Sequence, residues 1–328
     1  MERKPLISII VPVYNAEKTL HICLESLSSQ TYKEVQIIFI NDCSTDESLE
    51  VLEKFKAQSQ FEIEIINHEV NRGVAAARNS GLDVVRGEYI YFVDADDEID
   101  PDALELSINQ SEKNNLDILG FSWYLTFEKN ERKMKQPNFE TPLDAIEKMM
   151  RGTMRWNLWL FLFKTKLFVE NNIRFMEGKN MGEDLMVAIK LFSNAEKVAY
   201  LDRHFYHYGQ SNTASLTKTY SDSHIEQVTA NVSEVENYLK SSVISDKLGN
   251  LMYYLKLNIK LPLLISEKVS QYEKWLNWFP EANPYVMENT ALPLRTRLLQ
   301  LAAVKKQFWL VKIYNKVVLK IVYGILYK

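Results

Sequence analysis

Cysteine and histidine are scarce in this chain of 328 residues, which contains two Cys and five His. Cys23 and Cys43 have neither the spacing of metal ligands nor the partners of a disulfide framework. We therefore expect both to be reduced thiols in a cytoplasmic protein. Because no His pairs with a Cys in a metal-binding pattern, a zinc site is not expected.

Long apolar runs are also missing. No segment reaches the roughly 18 to 20 apolar residues that a membrane-spanning helix needs. The N-terminus leads straight into a strand-like run, which predicts no secretory signal. A net charge of only −4 gives no reason to expect a nucleic-acid partner. The hydrophobic content of 46% is sufficient for a sizeable core in one large or two small domains.

An acidic cluster directly follows the apolar run Tyr89–Val93. It contains Asp94, Asp96 and Asp97. Such a run is typical of a buried strand in an α/β sheet. Carboxylates crowded at a strand end repel one another unless a positive charge lies between them, and a divalent cation that bridges to phosphate oxygens is a common solution. The alternative interpretation is a solvated acidic turn that caps the next helix.

Strand and helix patterns alternate through the first third of the chain. This order predicts a mostly parallel sheet covered by helices on both faces. Ligands of such sheets bind beyond the carboxyl ends of the strands. The predicted strands are 6–13, 35–40, 61–66 and 88–93, and the predicted helices are 17–29, 46–55 and 73–85.

Polar segments follow each of these strands, so we expect them to meet at one rim of the sheet. Any one of the segments is a weak signal, but their convergence predicts a site. The segments are Tyr14-Asn15, Asn41-Asp42-Cys43-Ser44-Thr45-Asp46, Asn71-Arg72-Gly73 with Arg78, and Asp94-Ala95-Asp96-Asp97.

The rest of the chain divides into a mixed region and a helical one. A dense aromatic run at 156–163 predicts either one wall of a second substrate pocket or plain core. Glu183 and Asp184 open a helix with a buried apolar face. We predict a catalytic domain over 1–215, with a nucleotide-binding half at about 1–100 and an acceptor half at about 101–215, and a helical region over 216–328.

The C-terminal segment carries charge of one sign only. After Glu288 there is no Asp or Glu, whereas eight Lys or Arg residues occur. Several of these lysines share a helix face with apolar residues beside them, a pattern typical of helices that bind membrane surfaces. Residues 295–328 therefore predict contact with an anionic membrane. The alternative is a terminal helix packed in the core with a solvated lysine stripe.

These motifs resemble the family 2 glycosyltransferases, and they occur in the order of that family. The resemblance covers roughly residues 5–210. It implies a GT-A fold, which is a Rossmann-like, mostly parallel α/β sheet flanked by helices, here with a C-terminal helical extension. It also implies an inverting, nucleotide-sugar-dependent enzyme with Mn²⁺ or Mg²⁺. The implied donor-binding residues are Pro12, Val13, Tyr14, Asn15, Asp42, Asn71, Gly73, Arg78, Asp94 and Ala95.

Roles for the acidic residues follow from the resemblance and from the chemistry. A metal held by Asp96 would neutralise the departing diphosphate, and Asp97 would either aid the metal or cap the next helix. The resemblance places Asp94 on the ribose. Asp42 would accept a hydrogen bond from a pyrimidine N–H, or it would form an Asx-type turn. Arg78 would reach the base, or it would support the carboxylates and keep Asp42 and Asp94 ionised.

Asp184 is the candidate general base that takes the proton of the attacking hydroxyl, with Glu183 in reserve. The alternative for both residues is capping of the helix that they open. A single base opposite the leaving group implies inversion in one step. Candidate acceptor contacts are Trp156, Trp159 and His207, since an aromatic face can stack on a sugar.

The chain departs from the family pattern at two positions. Cys43 stands where Gly is usual, so a positive φ there would strain it; otherwise its side chain packs beside the nucleotide. Gly209 stands where many members have Arg, which leaves His207 or His204 as possible substitutes at the diphosphate.

The leading hypothesis is an enzyme that transfers a sugar, with UDP as the expected carrier, to a glycan or lipid-linked acceptor for a cell-surface polysaccharide. Such an enzyme would be cytoplasmic, with peripheral contact to the inner face of the membrane. The alternatives are a nucleotidyltransferase and a non-catalytic protein that binds nucleotide-sugars or scaffolds at a membrane.

Overall fold

The computed structural model describes residues 4–210, 221–266 and 268–317. The chain divides into two compact units. The first comprises Met1–Ala145 with Trp156–Tyr238, and the second comprises Ile146–Arg155 with Leu239–Lys328. The first unit continues beyond the boundary predicted near residue 215, because the helix over 222–240 packs on the loop before Glu183, where the Asn231 amide donates to the Met181 carbonyl.

The central sheet lies in the first unit, and its N-terminal part has the predicted parallel order. β1 pairs with β2 and β4, and β2 pairs with β3, all in parallel. Every residue of β2 is buried, as a strand covered on both faces requires. These strands are β1 Ile7–Val13, β2 Val35–Asn41, β3 Glu62–Asn67 and β4 Tyr89–Phe92.

The sheet is mixed beyond β4. β8 lies between β4 and β6 and runs antiparallel to both, while β9 runs parallel to β6 and antiparallel to β5. The strand order is β3-β2-β1-β4-β8-β6-β9-β5, and β7 forms a hairpin with β6. These strands are β5 Glu98–Ile99, β6 Ile118–Thr126, β7 Glu131–Met134, β8 Phe161–Lys164 and β9 Val198–Gly209.

Helices of the first unit pack on this sheet. α3 approaches β1 closely because it is rich in small residues: a Cβ added at Gly81 would lie 2.7 Å from Cγ2 of Ile10. This close approach fixes the helix that carries Arg78. The helices are α1 Leu20–Ser28, α2 Ser48–Gln58, α3 Val74–Asp83, α4 Ala103–Asn114, α5 Pro142–Arg151 (whose last residues belong to the second unit), α6 Lys166–Glu170, α7 Glu183–Asn194 and α8 Asp222–Lys240.

The second unit is helical, as predicted for the C-terminal region. A buried lysine organises part of it: Nζ of Lys260 donates to the carbonyls of Trp278 and Phe279 and to Oδ1 of Asn283. Among the described residues, no helix is both long and apolar enough to cross a bilayer. The helices are α9 Leu251–Lys260, α10 Val269–Asn277, α11 Leu294–Val304 and α12 Phe308–Tyr314. The predicted tail at 295–328 lies partly outside the described residues, since these end at residue 317.

Candidate active site

The loops after β1 and β2 are joined at the carboxyl edge of the sheet. Oδ1 of Asn15 accepts the backbone N–H of Thr45 at 2.7 Å, and the Asn15 N–H donates to Oγ of Ser44 at 3.0 Å. Asn15 and Cys43 both have positive φ, at 49° and 60°. The φ of Cys43 confirms the strained alternative of the two predicted for this position. Tyr14, half exposed beside Asn15, completes this rim.

Asp42 holds the loop after β3. Its Oδ1 accepts the N–H of Arg72 at 2.8 Å, and its Oδ2 accepts the N–H of Gly73 at 2.7 Å. The ring of His68 lies between Asp42, at 2.7 Å, and Oγ of Ser80, at 2.9 Å. These bonds match the predicted Asx-type turn better than the predicted contact with a pyrimidine base. The Asp42 carboxylate is buried, and both of its oxygens already have protein donors. Sequence reasoning missed His68.

The N-terminus of α3 is tied to the loop that precedes α7. Oδ1 of Asn180 accepts the N–H of Ala75, and the side chain of Asn79 pairs with the backbone of Phe175 in both directions. A Cβ at Gly73 would lie 2.1 Å from the Asn180 side chain, so only glycine fits there. Gly73 is therefore placed for close packing. Asn71 lies exposed two residues earlier.

The turn after β4 is held by β9. The N–H of Asp94 donates to the hydroxyl of Tyr206 at 3.1 Å, and that hydroxyl donates to Oδ2 of Asp97 at 2.7 Å. Oδ1 of Asp97 accepts the N–H of Gly209 at 2.7 Å. Asp97 therefore neither caps α4, whose N-cap is Asp102, nor presents a carboxylate for a metal, because both of its oxygens are buried and bonded within the protein. The structure favours Asp96, which is half-buried in the same turn, over Asp97 as the metal ligand.

Gly209 has a structural reason for departing from the family pattern. A Cβ at this position would lie 3.1 Å from the backbone oxygen of Asp96 and 3.4 Å from Oδ1 of Asp97. The absence of a side chain lets β9 approach the acidic turn closely enough for the Gly209 N–H to reach Asp97.

Arg78 brings together three carboxylates from distant parts of the chain. Nη1 contacts Oε1 of Glu183 at 2.9 Å and Oδ1 of Asp184 at 2.6 Å, and Nη2 contacts Oδ1 of Asp94 at 3.3 Å. The Arg78 side chain is buried, and it packs against the rings of Phe92 and Phe175. Two roles were predicted for Arg78, contact with the base and support of the carboxylates. The contacts of Arg78 in the structure are those of the second role. The donors to Asp42 are His68 and the 72–73 backbone rather than Arg78.

The charges in this cluster are unequal. Burial raises the pKa of Glu183 to about 8, with the charge of Asp184 adding to the rise and Arg78 opposing it. Burial also raises the pKa of Asp94 to about 6, opposed by Arg78 and assisted by Asp184 and Asp96. Burial tends to lower the pKa of Arg78, but the three carboxylates outweigh it and raise that pKa, so the guanidinium stays charged.

Asp184 differs from Glu183 in its surroundings although the two are adjacent. Oδ1 of Asp184 meets Arg78, and Oδ2 is 3.4 Å from the N–H of Leu158, which is long for a hydrogen bond. Glu183 is the more deeply buried, and its raised pKa leaves it protonated at neutral pH. Of the two candidates, the geometry therefore favours Asp184 as the proton acceptor.

A divalent cation fits the charge of this region. The carboxyls of Asp94, Asp96, Asp97, Glu183 and Asp184 influence one another, and Arg78 contacts three of them: Asp94, Glu183 and Asp184. No cluster of three His, Cys, Asp or Glu side chains within the described residues forms a ready-made metal cage. This agrees with a site in which the protein supplies one or two carboxylates and phosphate oxygens complete the shell.

The aromatic residues predicted for the acceptor are mainly core. The ring of Trp159 stacks on Tyr206, with centroids 4.3 Å apart and planes 12° apart, and it is only 4% exposed. Its stacking face is thus occupied, in agreement with the core alternative, whereas Trp156 is half-buried. His207 lies between Asp100, at 2.9 Å, and Glu131, at 2.6 Å. Because those carboxylates fix the ring, His207 does not replace an arginine at a diphosphate.

The first unit thus has an α/β fold with an acidic site at the carboxyl edge of its sheet. The chain belongs to glycosyl transferase family 2, since residues 8–192 match that family. The protein is therefore a glycosyltransferase, and the alternatives of a nucleotidyltransferase and a non-catalytic scaffold are set aside.

Three relatives illustrate the similarity. The uncharacterized glycosyltransferase EpsJ of Bacillus subtilis is 33% identical over 68% of this chain and 67% of its own length. The poly(ribitol-phosphate) beta-glucosyltransferase of Bacillus spizizenii is 28% identical over 89% of this chain and 48% of its own length. The crystal structure of Staphylococcus aureus TarS in complex with UDP-GlcNAc matches with a TM-score of 0.70 and 20% identity, covering 95% of this chain and 91% of the other. This last match confirms the predicted fold.

Proposed function

We propose that the protein transfers a sugar from a nucleoside diphosphate donor to a hydroxyl with inversion at the anomeric carbon, and that Asp184 is the general base. The observation that carries this proposal is the contact of Arg78 with both Asp94 and Asp184. One buried guanidinium thereby connects the turn that would bind the donor with the carboxylate that would receive the acceptor proton.

Arg78 would position Asp184 without titrating. Its pKa is raised by its three carboxylate neighbours, so its charge is constant through the working pH range. Its guanidinium lies 2.6 Å from Oδ1 of Asp184 and holds in place the carboxylate that would meet the acceptor hydroxyl. Because Glu183 holds its own proton near neutrality, Glu183 adds no negative charge next to Arg78.

The donor would bind along the rim formed by the loops after β1 and β2, with Tyr14, Asn15 and the 71–73 loop beside the base. Pro12, Val13 and Ala95 supply backbone and packing at the strand ends. We propose UDP as the carrier, because the similarly folded TarS binds UDP-GlcNAc. Asp42 would act by ordering the 72–73 backbone around the base.

A Mn²⁺ or Mg²⁺ ion, when bound, would stabilise the negative charge of the leaving diphosphate. Asp96 would hold it, with Asp94 on the ribose or beside the metal. The part played by Tyr206 and Gly209 is to keep the 94–97 turn in one conformation through Asp97.

The acceptor would be a glycan or a lipid-linked glycan of the cell surface, reached from the cytoplasmic side at an anionic membrane. Relatives named as glycosyltransferases of poly(ribitol-phosphate) support a polymeric acceptor.

The test of the base is the pair Asp184→Asn and Glu183→Gln, each assayed for transfer and for UDP affinity by calorimetry. We expect Asp184→Asn to lose transfer by about 10²–10⁴-fold, as removal of a general base does, with UDP affinity nearly unchanged. Retained transfer in Asp184→Asn would remove the assignment.

The donor is identified by a screen of hydrolysis across nucleotide-sugars with Mn²⁺ and with Mg²⁺. We expect a UDP-sugar to be hydrolysed slowly without an acceptor, and Asp96→Ala to lose this reaction. Hydrolysis confined to a donor carried by a different nucleotide would contradict the UDP proposal alone.

A further inference from the structure

The C-terminal helices α11 and α12 expose apolar side chains to an unusual degree. Among the described residues, six of the exposed large hydrophobic side chains lie between positions 294 and 317. The most exposed of them is Trp309, at 62%. Exposed apolar residues gathered in one segment mark an interaction site more often than scattered ones do. The six are Leu294, Leu298, Trp309, Leu310, Ile313 and Val317.

α12 and the turn that follows it have two apolar sides, only one of which faces the protein. The inner side carries Val311 and Asn315, both buried, and the Asn315 amide donates to the carbonyls of Leu264 and Ser266. The outer side carries Trp309, Ile313 and Val317 at a spacing of four residues, which places them in one row. The core-packing alternative therefore accounts for the inner side and leaves the outer row uncovered.

Lysines flank the outer row. Lys312 and Lys316 are exposed and follow Trp309 by three and seven positions, so they lie next to the row on the same side of the helix. Lys305 and Lys306, also exposed, precede it in the turn between α11 and α12. No acidic residue occurs in the sequence after Glu288, so nothing in this segment neutralises these charges.

We propose that the outer side of α11 and α12 binds the surface of an anionic lipid bilayer. Trp309, Ile313 and Val317 would enter the interface, and the flanking lysines would contact lipid phosphates. The positive charge of the four lysines favours an anionic bilayer over a second copy of this chain. A row with four uncompensated lysines around it would repel the same row of a second copy. The inference deepens the membrane part of the proposed function by naming the residues that make the contact.

The experiment is flotation of the full-length protein with vesicles of neutral phosphatidylcholine, with and without 30% phosphatidylglycerol, the latter fraction being about the least that gives a strong surface potential. We expect binding to the anionic vesicles only, and weaker binding as salt increases. Brominated lipids should quench part of the emission of the six tryptophans in the wild type, and this part should be missing in a variant that lacks Trp309.

Two double variants separate the apolar and charge contributions. Trp309→Ser with Ile313→Ser should abolish flotation, whereas the matched control Val169→Ser with Val243→Ser, which changes exposed apolar residues on other elements, should float normally. Lys312→Gln with Lys316→Gln should weaken binding by roughly 30-fold, whereas Lys247→Gln with Lys268→Gln should not. All eight positions are solvent-exposed, so folding should be retained.

Several outcomes would overturn the inference. These are equal binding to neutral vesicles, no binding to either kind, and a concentration-dependent dimer in ultracentrifugation that the Trp309 and Ile313 variant abolishes. Donor hydrolysis without vesicles is measured alongside. If hydrolysis persists while flotation fails, the membrane inference fails alone, and if flotation persists while hydrolysis is absent, the proposed chemistry fails alone.

Discussion

Glu183 and Asp184 are adjacent in sequence, and burial sets Glu183 apart by raising its pKa to about 8. Replacing Glu183 by Gln tests this directly, because Gln has the shape of the protonated side chain and does not titrate. If Glu183 already carries its proton at pH 7, the variant should keep transfer within about tenfold of the wild type, while Asp184→Asn should not.

The size of the effect on stability follows from the pKa. Burial raises the pKa of Glu183 from 4.5 to about 8 on folding. Between these values the folded protein retains a proton that the unfolded chain has lost. The free energy of unfolding therefore falls as pH rises through this window, by up to about 1.4 kcal/mol per pH unit from this group. This stability is fully present below pH 4.5 and is lost once pH exceeds about 8.

Urea unfolding of wild type and Glu183→Gln from pH 5 to pH 8 measures the difference. Titration of Asp94 affects both proteins and largely cancels. We expect the variant to be the less pH-dependent protein, and to gain up to about 4 kcal/mol relative to wild type across the series. Parallel stability curves, or an inactive Glu183→Gln beside an active Asp184→Asn, would refute the reasoning.

Three other perturbations have definite expected results. Tyr206→Phe removes the hydroxyl between the Asp94 N–H and Asp97, so it should lower the unfolding free energy by about 1–3 kcal/mol and weaken Mn²⁺-dependent UDP binding in calorimetry; unchanged binding would contradict the positioning role. Cys43→Gly relieves the strain of a φ of 60° and should stabilise the protein by about 1 kcal/mol in urea unfolding; a loss of stability would show that the Cys43 side chain matters more than the strain. Burial lowers the pKa of His207, but its two carboxylate partners outweigh this and raise the pKa to about 9. Its contribution, about 1 kcal/mol after solvent screening, should be present below pH 6.5 and lost by pH 9, so His207→Gln should be destabilised at pH 6 and match wild type at pH 9.5 in thermal unfolding.

The rim of the sheet was predictable from the sequence. Strand and helix patterns near the N-terminus are strong, and in a parallel sheet the order of elements already brings the strand ends together. The register of β1 with β2 pairs Val13 with Asn41, so the polar residues after them had to meet. The positive φ of Cys43 was likewise one of the two alternatives predicted for this position, because Gly is usual there in the family pattern.

Contacts between residues far apart in sequence were not predictable in the same way. Arg78 and Glu183 are 105 positions apart, and the choice among the partners of Arg78 depends on how α3 and α7 pack. For the same reason Asp97 had two plausible roles, and the structure gives it a third, because β9 comes close enough for Tyr206 and Gly209 to reach it. The aromatic strand around Tyr206 was a visible signal, but its hydroxyl has no pattern of its own.

The single displacement with Asp184 as base is tested most directly by the anomeric configuration of the product. The proton NMR spectrum of the glycoside product gives this configuration relative to that of the donor sugar, because a glycosidic linkage does not mutarotate. We predict the opposite anomer to that of the nucleotide-sugar. A product with the donor's own configuration would contradict the account, since it would require a second displacement and a nucleophile other than the acceptor.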